Sequence, residues 1–234
     1  MRKTFIVAGA AALALSTAGV AFAQNPDPSI TATAGVSPTK SGTSSKPKAV
    51  QFKLSVTNDP ASKTTAKSIV VKLPSTLKLS TSGLDQCKAS DDELIADINV
   101  CKKSIAGSGS ANAKLNPFAT APAPLKFKVT PVVGKNELLF VLSGAADAVL
   151  HGKVKGSSMT ITITPQLQQP APGAYSALDN LTTTLKKTKG SKSLFTSVGC
   201  KSKKHGVNVT VNYAPNPSPP AKSSASDTAD AKCS

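Results

Sequence analysis

Alternation of apolar and polar residues at period two is the feature that most restricts how this chain can fold. Phe52, Leu54 and Val56 alternate with Gln51, Lys53, Ser55 and Thr57, which on a pleated strand sends one set to a buried face and the other to water. The same rhythm runs through Ile69, Val71 and Leu73, through Leu125, Phe127 and Val129, and through the stretches that begin at Met159 and Val207. Strands with one wet face belong to antiparallel sheets. Leu138 to Leu142 is instead continuously apolar, so it is expected to be central and covered on both faces. Gly134-Lys135-Asn136 before it predicts the turn of a hairpin with the preceding strand. Further strands are expected near 29–34, 104–115, 148–155, 178–187 and 194–198. About ten short strands separated by turns imply an all-β fold, either one antiparallel β-sandwich or two packed β lobes.

A single helical signal interrupts the strands. Ser90-Asp91-Asp92-Glu93 has the spacing of a capping box, and Leu94, Ile95 and Ile98 give the segment an apolar side. A short helix ending near Cys101 is expected, between the first two cysteines. The acids Asp91, Asp92, Glu93 and Asp97 lack the alternating ligands and turn glycine of a calcium loop, so they read as capping. Internal boundaries are expected near 116–124 or 166–173, both poor in regular signals. Residues 214–234 form a tail rich in Pro, Ser and Ala, expected to be extended or disordered until Cys233 returns its end to the fold.

The N-terminus sets the compartment. Arg2-Lys3, an apolar run from Phe5 to about Val20 and the small-residue exit Ala21-Phe22-Ala23 have the layout of a cleaved signal peptide over 1–23. The run is short, rich in Ala and Gly, and followed at once by Asn25-Pro26-Asp27-Pro28, which argues against a membrane anchor. No later run reaches the roughly 18 apolar residues of a spanning helix, so a mature chain without a transmembrane segment is expected outside the cytoplasm, secreted or associated with the cell envelope.

Cys87, Cys101, Cys200 and Cys233 are an even set in that oxidising setting, which favours disulfides. Three pairings are open, and proximity in sequence favours Cys87 with Cys101 and Cys200 with Cys233. In the chain-entropy model each loop is worth roughly 3 to 4 kcal/mol. Zinc is disfavoured because no Cys-x-x-Cys pair occurs and the two histidines, His151 and His205, lack ligand spacing.

The formal charge is +16, and once Arg2 leaves with the signal every basic side chain is lysine. Lysine is a hydrated point charge without arginine's bidentate fork, so specific nucleic-acid recognition is disfavoured. Aromatics are 4% of the chain and Trp is absent, which leaves few platforms for stacking on sugars or bases and makes Val, Ile, Leu and Ala the core. Lys186, Lys187, Lys189, Lys192, Lys201, Lys203 and Lys204 fall in a span with no acid between Asp179 and Asp227. They are the candidate contact for anionic cell-wall polymers or a membrane surface. The plainer role for such lysines is to keep strand edges soluble.

Catalytic patterns are missing. Gly-x-Ser-x-Gly is absent, and Gly107-Ser108-Gly109-Ser110 sits in a strand-like run without the following helix or the Lys-Ser/Thr ending of a phosphate loop. Those glycines read as structural, permitting close packing or a bulge. The glutamates are Glu93 and Glu137 alone, which leaves little material for a glycosidase carboxylate pair. No cofactor motif is found.

Several segments resemble those of uncharacterised secreted proteins of high-GC Gram-positive bacteria. They are Ser37-Pro38 through Gly42-Thr43 and Lys46-Pro47, then Ile69-Val70-Val71-Lys72-Leu73-Pro74, Cys87, and Cys101-Lys102-Lys103-Ser104 leading into Gly107 to Ala111. The pairing of Cys200 with a cysteine at the extreme C-terminus is similar too. In that group Pro commonly follows the second cysteine, where Lys102 stands here. The resemblance implies an exported β-rich protein and brings no catalytic residues.

The sequence therefore points to a secreted, non-catalytic envelope or extracellular protein, structural or binding anionic polymers weakly by charge. The rival reading is a hydrolase of envelope or extracellular polymers whose site assembles from scattered residues. A cleft bringing His151 or Glu137 beside another polar candidate would favour the rival.

Overall fold

The structure, a computed structural model, describes residues 27–59, 64–116, 124–215 and 222–234. The signal peptide at 1–23 and most of the 116–124 segment lie outside the described residues. Sixteen strands are described: Ile30–Ser37 (β1), Lys48–Ala49 (β2), Gln51–Asn58 (β3), Ala66–Lys72 (β4), Leu77–Leu79 (β5), Gly107–Asn116 (β6), Leu125–Gly134 (β7) and Glu137–Gly144 (β8), then Ala148–Lys155 (β9), Ser158–Thr162 (β10), Tyr175–Leu185 (β11), Thr188–Lys189 (β12), Lys192–Ser193 (β13), Phe195–Ser197 (β14), Lys204–Tyr213 (β15) and Ser224–Lys232 (β16). Two short helices, Asp91–Ala96 (α1) and Pro165–Gln168 (α2), and a 3-10 stretch, Ile98–Ser104, accompany them.

Eleven strands form one sheet in the order β1-β3-β11-β6-β7-β8-β9-β10-β4-β15-β16. All ten neighbouring pairs are antiparallel, so the first and last strands, β1 and β16, point the same way. Antiparallel β structure is as expected from the alternation. The hydrogen bonding shows a single, nearly closed sheet rather than two stacked ones, because the ladder continues through every strand from β1 round to β16.

Side chains close the seam where the ladder stops. The Asp227 carboxylate on β16 accepts from the Ala32 backbone N–H on β1 at 2.7 Å. Tyr213 on β15 donates from its hydroxyl to Asn58 Oδ1 on β3 at 3.0 Å, spanning the two edge strands, and Asn58 Nδ2 donates to the Leu178 carbonyl on β11. Burial of this phenol pushes its pKa up to about 12. Beyond the strands, Ser41 N–H donates to Ser234 O at 2.7 Å and Ser234 N–H to Thr39 O at 2.9 Å. An inward carboxylate on an edge strand also discourages pairing with another chain.

The alternating apolar residues face the enclosed interior: Phe52, Leu54 and Val56 on β3, Val129 and Val133 on β7, Val207, Val209 and Val211 on β15. On β8 Leu138, Phe140 and Leu142 join this interior, while Leu139 and Val141 face a second cluster under α1 with Leu94, Val132 and Val149. That double burial is why 138–142 carries no polar alternation. The predicted hairpin is present, with Gly134 opposite Glu137 and Asn136 at φ 59°.

The capping box forms as the sequence requires. Ser90 Oγ accepts from Glu93 N–H, and Glu93 Oε2 accepts from Ser90 N–H at 2.7 Å. These bonds hold Glu93 below the ordinary carboxylate pKa. Gly107 and Gly109 are close-packing glycines: a Cβ would stand 1.9 Å from Thr184 O at the first and 2.3 Å from Thr182 O at the second. The C-terminal stretch is more ordered than its composition suggests. Ser224–Lys232 pairs along the whole of β15, with the small Ala225, Ala229 and Ala231 turned inward. Residues 216–221 of that stretch lie outside the described residues.

Candidate functional site

The two ends of the nearly closed sheet differ. At one end lie both disulfides, Cys87–Cys101 and Cys200–Cys233, the pairing that proximity favours. A small sheet, β2-β14-β5, packs there. Phe52 and Phe195 stack with ring centroids 4.8 Å apart, and Leu77 and Leu194 are fully buried beside them in the same core. This end is filled.

Toward the other end the interior is hollow. A cavity of about 450 Å³ lies among β4, β6 to β11 and α2. Its wall is apolar: Ile69 and Ile161, Phe127 and Phe140, Leu142 and Leu178 are among the lining side chains. The space comes from alanine. Ala111 and Ala113 occupy inward positions of β6 where other strands carry Leu, Val or Phe, and Ala145, Ala146 and Ala148 shape the β8–β9 turn. The polar lining residues are Asp147, Gln166 and Ser176. Asp147 and Gln166 are exposed, and the Ser176 hydroxyl donates to the Leu167 carbonyl. A pocket of this size with few polar groups falls in the roughly 300–1,000 Å³ range of small-molecule sites. Kept closed and empty, an apolar void of that volume would cost on the order of 10 kcal/mol, comparable with the whole stability of a domain.

The sequence did not single out this site. Its signal is alanine in the inward register of β6 and in Gly144-Ala145-Ala146-Asp147-Ala148, visible only once strand faces and ends are known.

The seven candidate lysines, Lys186, Lys187, Lys189, Lys192, Lys201, Lys203 and Lys204, lie toward the disulfide end, around the ends of β11 and β15 and the β12–β13 hairpin. Lys189 pairs with Asp85 at 2.5 Å and Lys204 with Asp230 at 2.6 Å. The hydrogen bond from Lys189 holds the Asp85 carboxyl below its ordinary pKa. Lys187 Nζ donates to Lys103 O. Among the described residues Lys186, Lys187, Lys192, Lys201 and Lys203 have no carboxylate partner within salt-bridge distance.

His151 on β9 meets two acids on the outer face. Its Nδ1 lies 3.0 Å from Glu137 Oε2 and its Nε2 3.1 Å from Asp91 Oδ2. Burial alone pulls this imidazole down, but the hydrogen bonds to Glu137 and Asp91 outweigh it and raise the pKa above the ordinary value. Protonated, the ring donates from both nitrogens and ties the first turn of α1 to the sheet. None of the three lines the cavity, and with both ring nitrogens on carboxylates His151 holds no lone pair toward a substrate. His205 is different: fully buried, with Nδ1 2.8 Å from Thr76 Oγ1 and Nε2 without a partner, it is pulled down by burial.

Among the described residues no group of three or more His, Cys, Asp or Glu is arranged to hold a metal ion, and no helix is long and apolar enough to cross a membrane. Two disulfides fit an oxidising, extracellular setting. No protein-family model, curated protein or solved structure matches the chain.

Proposed function

We propose that this protein works outside the cytoplasm as a non-catalytic carrier that shelters an apolar small molecule, or the chain of an amphiphile, inside its sheet. The observation that carries the reading is the apolar, alanine-lined cavity of about 450 Å³ within the sheet. Burying an apolar ligand there gains roughly 25 cal/mol for each Å² removed from water, and two disulfides at the far end hold the walls so that little ordering accompanies binding.

Titration of the purified protein with the neutral fluorophore N-phenyl-1-naphthylamine tests this. Saturable one-to-one enhancement is expected, and Ala113→Leu, which fills the wall, is expected to remove it. Unsaturable binding, or binding indifferent to Ala113→Leu, would sink the reading.

A second reading rests on the lysines. Their collection at one end, five of them without a carboxylate partner among the described residues, supports weak docking on anionic envelope polymers by long-range charge. It is compatible with the first because the two features occupy opposite ends. Retention on purified cell walls should fall steeply as salt rises; retention that ignores salt, or none at low salt, removes it.

A further inference from the structure

We infer that the cavity takes the chain of an amphiphile whose head is uncharged and rich in hydroxyl or amide donors; this rests on the carrier reading above. The wall itself selects only an apolar body. What selects the head is the polar rim, and the rim is unusual for so cationic a chain.

Among the described residues no lysine lines the cavity, although the protein carries a formal charge of +16. The ionisable group in the lining is Asp147, exposed in the β8–β9 turn. The lysines of the adjoining strands are turned away: Lys126 and Lys128 alternate with the inward Phe127, and Lys114 is held by Asp179 at 3.2 Å. A fatty-acid carboxylate seated at this rim would give up part of its hydration beside another carboxylate, with no cation among the described lining residues to compensate. A cationic head would find Asp147, but would approach against the positive field of the whole molecule. An uncharged head meets neither penalty.

The rim also matches donors. The Asp147 carboxylate accepts charge-assisted hydrogen bonds from hydroxyls. Gln166 offers both an acceptor and donors, and Ser176, whose proton goes to the Leu167 carbonyl, keeps lone pairs for a further donor. Alcohols, glycerol esters and glycosides have this chemistry.

The test compares three ligands with one hexadecyl-length chain and different heads: monopalmitoylglycerol, palmitate and hexadecyltrimethylammonium, each displacing bound N-phenyl-1-naphthylamine below its micelle concentration. Monopalmitoylglycerol is expected to displace the probe at a concentration about tenfold lower than either ion, a difference of about 1.4 kcal/mol. Asp147→Lys, in an exposed turn where folding is little at risk, is expected to shift the preference toward palmitate by a similar factor. Palmitate or the ammonium displacing as well as the glycerol ester would overturn the inference, as would an Asp147→Lys protein with unchanged preferences. If the probe binds and none of the three displaces it, the amphiphile assignment fails while the apolar carrier stands; if the probe itself does not bind, both fall together.

Discussion

The disulfide end and the cavity end are made from the same strands, yet one is packed and crosslinked while the other is hollow. Toward the first, inward positions carry Phe52, Leu77, Leu185, Leu194 and Phe195, each at most 1% exposed. Toward the second, the wall carries Ala111 and Ala113 on β6 and Ala148 on β9 beside Phe127, Phe140 and Leu142. Strand pairing alone therefore does not decide whether a sheet interior is a core or a container. That choice lies in side-chain volume, layer by layer.

Substitutions that treat the two ends alike should give unlike results. The largest effect is expected from Phe195→Ala, which removes a ring from the filled end and should cost about 3–5 kcal/mol in denaturant unfolding; a loss no greater than that of a cavity-lining Leu142→Ala would erase the distinction. Replacing Cys200 and Cys233 by alanine should cost about 4 kcal/mol for a separation of 33 residues, against about 3 for Cys87 and Cys101 at 14. Equal losses would point away from chain entropy as their source. Adding volume should split in sign: Ala231→Leu, fully buried at the filled end, should destabilise by about 1–3 kcal/mol, while Ala113→Leu should be neutral or stabilising by about 1 kcal/mol. Two destabilised proteins of similar midpoint would show that the cavity has no spare room.

The smallest effect concerns α1. The folded pKa of His151 is raised above its ordinary value of 6.5, so its clasp contributes fully below the unfolded pKa and is lost as pH rises through the folded one. His205 has the opposite sign: its folded pKa is lowered, so it opposes folding increasingly as pH falls below 6.5. Because His151 is partly exposed, Glu137→Gln should cost under about 1 kcal/mol at pH 6 and less at pH 9. Nuclear magnetic resonance titration of the imidazole in wild type and Glu137→Gln would check it; an unchanged midpoint would show that Glu137 does not hold the ring.

Local signals were legible where chemistry is local. Alternation gave β3, β4, β7, β10 and β15, the continuous run gave the doubly covered β8, Ser90 and Glu93 gave the capped α1, and proximity favoured the observed disulfides. Strand β16 was harder because Ser, Ala, Asp and Thr have weak strand preference; its place depends on the Val207-Val209-Val211 face of β15 beside it. Sheet closure was out of reach, since Asp227 and Ala32 stand 195 positions apart. The His151 cluster combines a diagonal pair set by the β8–β9 register, Glu137 lying across from Lys153, with an acid brought in by α1. The cavity depends on which alanines share a layer, and no single segment carries that information.

The contact between β1 and the far end of the chain has a consequence for how the molecule matures. The segment from β1 to Ser41 lacks these partners until residues almost two hundred positions later fold back on it, since Asp227 and Ser234 supply partners for Ala32, Thr39 and Ser41. Closure of the seam therefore waits on β16 reaching β1, and a chain in which β16 is not yet available would remain open along one side.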